Sequence, residues 1–355
     1  MLSRSSKILL TAWLIIVLSL GVEAANAQTS WVRNSANPVL SPSPAGWDSS
    51  EVLIPRLYYD GSKYQMWYSG DNGTIEAGGG SIGYATSNDG VSWTKNSNPV
   101  LTHGAAGSWD SLLVYAGFVL KNASTYLMWY EGARLKPDGS CCKFGLGLAT
   151  SLDGLSWTKY AGNPILTSES SSMPYVSYPW VLMVRGQFKM WYACGVYAPY
   201  LTAICLANSS DGIQWSQDAT PVFRGTEATT DWDGGTVYSP NVIYDGKTYS
   251  MWYSSGNSVG TKYQIGYATS PDGITWTRAS GLPILGPTSS EAWDSYDSVD
   301  NQGMLQVGGS FMLYYSADQL DMNGKFISYR IGLADLQRFS SSRNSLTSDP
   351  LTIDH

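Results

Sequence analysis

Charge is scarce in this chain. Only 14% of its 355 residues are Asp, Glu, Lys or Arg, and the balance is acidic at −7. No basic cluster stands against that balance, which argues against nucleic acid and an anionic membrane surface as partners. Histidine is nearly missing at two residues, and His103 is alone within the repeating part of the chain. A lone loop His reads as a surface residue, so neither a metal site nor a cofactor is expected, and a central structural cation has no support. Beyond the first twenty residues no segment is apolar enough to cross a bilayer. What the chain does have is 13% aromatic residues and 37 Gly, a mix that suits short strands joined by tight turns.

The one long apolar run is at the start. Arg4 and Lys7 precede Ile8 to Leu20, and Ala25-Asn26-Ala27 offers an A-x-A cleavage site. That is the pattern of a secretory signal peptide over 1–27, and thirteen residues are short for a membrane span. The mature chain is expected to be secreted or periplasmic, monomeric and free of the membrane. Its last segment, 338–355, is polar and without periodicity, and is expected to be disordered. Four cysteines in an exported chain permit disulfides without demanding them. Cys194 and Cys205 end one strand and sit in the next, so a cross-strand bridge is expected there. The adjacent Cys141 and Cys142 either pair with each other or remain loop thiols.

Internal repetition decides the architecture. The phrase Met-Trp-Tyr begins at 66, 128, 190 and 251, and a weaker copy, "MLYYSA", places Leu313 on the same beat, at spacings of 62, 62, 61 and 62. "WD" recurs at 47–48, 109–110, 232–233 and 293–294, and S-x-D-G-x-x-W at 87–93, 151–157, 209–215 and 270–276. Each unit reads as four strands joined by Asp-Gly turns, with no polar face on the second strand. Sheets covered on both sides and repeated radially make a β-propeller. The fifth unit ends near residue 336 without its S-x-D-G-x-x-W strand, whereas "SWVRNSANPVL" at 30–40 copies "SWTKNSNPVL" at 92–101. The prediction is all-β: one five-bladed propeller over 28–337, with four-stranded antiparallel blades and the ring closed by the N-terminal strand.

Short Asp-Gly hairpins must share one face of the disc, leaving the long, dissimilar loops on the other, where binding groups are expected. Residues repeated in every blade pack or turn; polar residues that break the repeat on the open face are the candidates. By that test the "WD" aspartates are structural. Aligned on Pro55, Gly117, Pro179, Pro240 and Gln302, the first strands place Glu51 and Asp300 where sister blades are neutral. After the aromatic triplet, Glu131 replaces Ser69, Ala193, Ser254 and Ser316. Glu131, Glu51 and Asp300 are the catalytic candidates, with Glu131 as general acid. Asp71, Glu76, Asp297 and Asp318 read as a solvated acidic rim. Tyr115, Tyr175, Trp180, Tyr238 and Asn301 are candidates to bind a ligand there, the aromatics by stacking on it.

Five such blades, the "MWY" strands, the S-x-D-G-x-x-W hairpins and the closing N-terminal strand resemble the propeller glycosidases of the arabinanase, xylosidase, invertase and levansucrase type, together with related mannoside phosphorylases. The resemblance implies carboxylates at the starts of inner strands, one protonating the leaving oxygen and another acting as base or nucleophile on a poly- or oligosaccharide. The Asp that arabinanase-type members carry before an inner-strand Pro has no counterpart, since Ile54, Ala116, Tyr178, Ser239 and Asn301 stand there. The alternative is a non-catalytic propeller that binds glycan or protein through the same mouth.

Overall fold

The computed structural model describes residues 29–73, 79–167, 175–196, 201–228, 230–257, 262–288, 293–294, 298–320 and 326–338. The segment 1–27 expected to be a signal peptide, the tail beyond residue 338, Glu76 and Asp297 lie outside these residues. No described residue is helical. Five antiparallel sheets follow one another along the chain. Their inner strands are Glu51–Tyr59, Leu113–Asn122, Tyr175–Val184, Val237–Tyr244 and Val299–Val307. Thr29–Arg33 pairs with Phe326–Arg338, in register from Thr29↔Arg338 to Arg33↔Ala334, and so supplies the outer strand of blade five.

Each word of the aromatic triplet has a separate task. Met66, Met128, Met190 and Met251 are fully buried. The triplet Trp reaches out of its blade: Trp67, Trp129 and Trp191 donate Nε1–H to the carbonyls of Gly154, Gly212 and Gly273 in the next blade's Asp-Gly turn, each at 2.9 Å. In blade five Tyr314 closes the circle by donating to Gly90 of blade one. The triplet Tyr reaches within its blade: Tyr68, Tyr130, Tyr253 and Tyr315 donate to the "WD" carboxylates Asp48, Asp110, Asp233 and Asp294. Each of those carboxylates also takes a cation from the outer strand, namely Lys95, Lys159, Arg278 and Arg33. Blade three has no such Asp; there Cys194 and Cys205 are joined across its second and third strands.

The outer strands are shorter than the pattern predicts. In S-x-D-G-x-x-W the Asp carboxylate accepts the backbone N–H groups two and three residues on, and the Ser hydroxyl accepts those of the Asp and the Gly. This winds the segment into a capped turn, and in each of blades one to four only two residues after it, such as Thr94–Lys95, then join the ladder.

Every inner strand carries a two-residue bulge where it passes the axis, at 54–55, 116–117, 178–179, 239–240 and 301–302. Ile54, Tyr178, Ser239 and Asn301 adopt positive φ there, between 46° and 55°. The bulge releases a backbone N–H from the sheet, and a side chain of the preceding blade takes it. Ser316 accepts from Ile54, Ser69 from Ala116, Glu131 from Tyr178, and Ser254 from Asn301. These bonds knit the blades at the axis and set the geometry of the mouth above it.

Candidate functional site

The strand starts and ends on the open face bring carboxyls together from three neighbouring blades. Glu51 opens the inner strand of blade one and lies directly opposite Asp71, the last residue of the second strand, in register. Asp300 occupies the corresponding inner strand of blade five, where Asp318 ends a run of buried second-strand residues. Glu131 comes from the second strand of blade two, opposite Tyr115.

None of the five is a solvated rim group. Asp71 is 1% exposed, Glu131 3%, Asp300 4%, Asp318 7% and Glu51 9%. Asp71 and Asp318 therefore correct the sequence reading. They do not lie out on the loops but two residues beyond the post-triplet position, where the sister blades have Ala133, Gly195 and Gly256. Those small residues are the signal that comparing one more position along the second strand would have shown.

Burial sets the protonation of the group. It pushes Glu51 up to about 9, and a hydrogen bond shared with Asp71 and that residue's charge push the same way. It pushes Glu131 up to about 7, against bonds from Ser177 and the Tyr178 N–H and the charge of Arg56. Asp300 also rises to about 7 through burial, with Asp318 adding to the effect and Tyr238 and Ser298 opposing it. The Tyr238 hydroxyl donates to Asp300 Oδ2 at 2.6 Å. The Ser177 hydroxyl and the Tyr178 N–H both donate to Glu131 Oε2. Glu131 thus does the work of the serine staples at its junction, and its longer side chain carries a second carboxyl oxygen besides.

Tyr115, Tyr175 and Tyr238 lie at this mouth, as does Asn301 on the axis beside Asp300. Trp180 does not. It lies three residues past Ser177 along its strand, its Nε1 donates to the Val242 carbonyl at 2.7 Å, and its ring packs on Phe118. It lines an apolar groove of about 220 Å³ with Leu182, Val184 and Tyr244, toward the Asp-Gly-turn end of the inner strands. At the aligned position in the other blades stand Arg56, whose guanidinium lies 5.9 Å from the Trp180 ring centroid, and Phe118, Asn241 and Gly303. Gly303 is needed there because a Cβ would meet the Pro55 carbonyl oxygen at 2.2 Å.

Arg56 is a buried charge that the repeat comparison passed over, though only blade one has a charge at that position. Its guanidinium is fully buried, and one nitrogen, Nη1, donates to the carbonyls of Pro55 and Gln302. Burial lowers its pKa to about 10, and the nearby Tyr178 and Glu131 counteract this. His103 stands apart, its Nδ1 2.9 Å from the Gly104 carbonyl. Among the described residues no group of three His, Cys, Asp or Glu is arranged to hold a metal ion. Cys141 and Cys142 are bonded to each other, with Cys142 packed against Leu112, Leu113 and Ala133.

Comparison with known proteins agrees with the fold. An uncharacterized protein of Mycobacterium tuberculosis is 27% identical over 287 residues, 78% of this chain and 92% of that one. A solved structure from work on the family 130 mannoside phosphorylases, a family said to contain glycoside hydrolases that target β-1,2 mannosidic linkages in Candida mannan, superposes with a TM-score of 0.64. It is 19% identical and covers 88% of this chain and 94% of its own. A thermostable family-43 glycoside hydrolase gives 0.64 at 17% identity, over 85% and 94% of the two chains. The family model for the N-terminal domain of family 32 glycosyl hydrolases matches residues 55–233, from the inner strand of blade one to the "WD" of blade four. The chain belongs to the family defined by that glycosyl hydrolase domain, in the form of a five-bladed propeller.

Proposed function

We propose that this chain is an exported glycoside hydrolase that cleaves oligo- or polysaccharides at the mouth formed by blades five, one and two. The observation that carries the reading is the convergence of Glu51, Asp71, Glu131, Asp300 and Asp318, buried and drawn from three blades onto one face. Glycosidic cleavage needs a carboxylic acid that still holds its proton near neutrality and a second carboxylate across the anomeric carbon. Glu131, near 7, is the general acid that protonates the leaving oxygen. Asp300, which also rises to about 7 but takes a bond from the Tyr238 hydroxyl that favours its anion, is the base or nucleophile. Glu51 keeps its proton to about pH 9 and uses it to hold Asp71 in place. Export is supported by the basic, apolar and A-x-A sequence of the first 27 residues.

A second reading, a non-catalytic propeller that binds glycan or protein at the same mouth, is favoured by one observation. Glu131 occupies a position that in three sister blades is a serine staple. Turnover of arabino-, xylo-, fructo- and manno-oligosaccharides, compared among the parent, Glu131→Gln and Asp300→Asn, separates the two. The hydrolase reading expects a loss of 10²-fold or more in kcat with folding retained. Glycan binding without turnover, unaffected by either substitution, overturns it.

A further inference from the structure

A second cleft lies on the Asp-Gly-turn face, opposite the mouth. It has a volume of about 480 Å³ and is lined by Gln187, Asn208, Ser210, Gln214, Trp215 and Ser216 of blade three. Gln187 opens the second strand of that blade, Asn208 is near the end of the third, and Ser216 begins the short fourth. Sites for small ligands occupy roughly 300–1,000 Å³, so the cleft is large enough to hold one. Among the described residues no Asp, Glu, Lys or Arg lines it, and its apolar surface is the indole of Trp215.

The repeat that singles out Glu131 singles out this cleft as well. Gln187 stands where the sister blades have Lys63, Thr125, Thr248 and Ser310. Asn208 stands where they have Thr86, Thr150, Thr269 and Asp335, and Gln214 where they have Ser30, Ser92, Ser156 and Thr275. Three carboxamides thus enter one blade, around one cleft, at positions where no sister blade has any. Packing and turning, which every blade needs, do not require them.

Their polar groups are open to a ligand. Gln187, Gln214, Ser210 and Ser216 are exposed, and their side chains make no hydrogen bond among the described residues. Asn208 lies in register with Lys189 on one side and Ser216 on the other. Its Oδ1 accepts from Lys189 Nζ at 3.2 Å, which leaves both N–H groups of Nδ2 to donate elsewhere. The neighbouring Asp211 carboxylate is taken up by the backbone N–H groups of Ile213 and Gln214. Trp215 is half-buried and fixed in place: Nε1 donates to the Gly212 carbonyl at 3.1 Å, and the ring packs edge-on against Trp129 at 6.5 Å.

We propose that this cleft binds a neutral glycan, as a carbohydrate site separate from the mouth. Carboxamides and hydroxyls both donate and accept, as sugar hydroxyls do, and an indole offers apolar surface to the C–H side of a sugar ring. A lining without charge has nothing to pair with an ionic ligand. A single indole is too little apolar surface to hold a lipid or an apolar peptide. The site stands on either reading of the mouth, because none of its residues touches the carboxyls there. A polymer long enough to reach both faces meets the second site at a raised effective concentration, so the cleft retains the protein on its polysaccharide.

The test is electrophoresis through native gels containing soluble arabinan, xylan, levan or mannan. Glu131→Gln is the reference protein, so that nothing is hydrolysed during the run. Gln187→Thr/Asn208→Thr/Gln214→Ser, added to it, writes Thr125, Thr150 and Ser156 of blade two into blade three, residues this fold already carries. The dissociation constant read from the retardation should rise about 10-fold or more for a polymer that retards the reference. Gln214→Ser alone should raise it about 5-fold, the size of one hydrogen bond. Matching urea midpoints establish that the fold is kept; if the triple variant unfolds more easily, Gln214→Ser, at an exposed and unbonded side chain, decides alone. With Glu131 restored, turnover of short oligosaccharides should be equal with and without the three substitutions. Equal retardation of reference and variants, or no retardation of the reference by any of the four polymers, overturns the site. Retardation lost in the variants while the parent turns over no oligosaccharide leaves this site standing and fells the hydrolase reading.

Discussion

Replacing Glu131 by Gln should change how stability depends on pH, in a calculable direction. The carboxyl rises from 4.5 to about 7 on folding because burial opposes its charge more than Ser177, Tyr178 and Arg56 favour it. A carboxyl with a higher pKa in the folded than in the unfolded chain favours folding below the unfolded value. It loses that contribution as pH rises through the folded value. The loss therefore falls between about pH 4.5 and 8, and at about 1.4 kcal/mol per pKa unit it amounts to roughly 3 kcal/mol. Gln can still accept the Ser177 and Tyr178 bonds through its amide oxygen, but it does not titrate. Urea unfolding of parent and Glu131→Gln at half-unit steps from pH 4.5 to 9 isolates this one group, since every other titration is common to both. The difference should grow in favour of the variant by about 3 kcal/mol toward high pH. Parallel curves would show that Glu131 is not desolvated as its burial implies, and the assignment of a protonated acid near neutrality would go with them.

Three further outcomes test the frame. Asp110→Ala leaves the Lys159 ammonium and the Tyr130 hydroxyl without their buried acceptor, and should cost about 2 kcal/mol because Lys159, 28% exposed, can turn to water; an unchanged urea midpoint would contradict the clasp. Cys194→Ser/Cys205→Ser removes a bridge closing an 11-residue separation in the blade without a "WD" clasp, and should cost about 3 kcal/mol in unfolding free energy measured without reductant. Gly117→Ala would place a Cβ 1.7 Å from the Trp129 carbonyl oxygen and should abolish folded protein by circular dichroism, whereas Gly281→Ala, with nothing within 4 Å, should be near neutral.

The blade count, the strand order and the closing strand are legible in the sequence because a ring of equal wedges imposes equal residues at equal intervals. Met66, Trp67 and Tyr68 recur for reasons most blades share: burial, a bond to the next blade in blades one, two, three and five, and a bond to the blade's own "WD" carboxylate in every blade but the third. Side-chain capping is less legible. An Asp-Gly pair reads as a hairpin, yet the Ser and Asp side chains compete for the backbone N–H groups and wind the segment before it can pair. Depth along the axis is less legible still. Trp180 and Ser177 are three residues apart, and strict alternation would put them on opposite faces, but the bulge absorbs one residue and leaves them on one face at different depths. Asp71 and Asp318 looked like loop residues because the loops they adjoin are long, and their strand pairing was not evident from composition.

The ring contains two populations of buried acid, and their surroundings distinguish them better than their positions do. Asp48 is desolvated, but bonds from Lys95, Ser43 and Tyr68 outweigh this and leave its pKa lowered, so its negative charge contributes to the fold. Asp300 is desolvated too, yet its neighbours are Tyr238, Ser298 and another carboxylate, and its pKa goes up. Glu51 faces Asp71 and rises further. Among these mouth acids only Glu131 has a cation contributing to its shift, and burial still prevails over Arg56. A protein that can clasp an aspartate with a lysine or arginine in four of its five blades has the means to neutralise a buried acid. Keeping Glu51 and Asp300 buried with no cation among the causes of their shifts costs stability as pH rises. On the hydrolase reading proposed above, that cost is what the fold bears to keep a proton for chemistry rather than for packing.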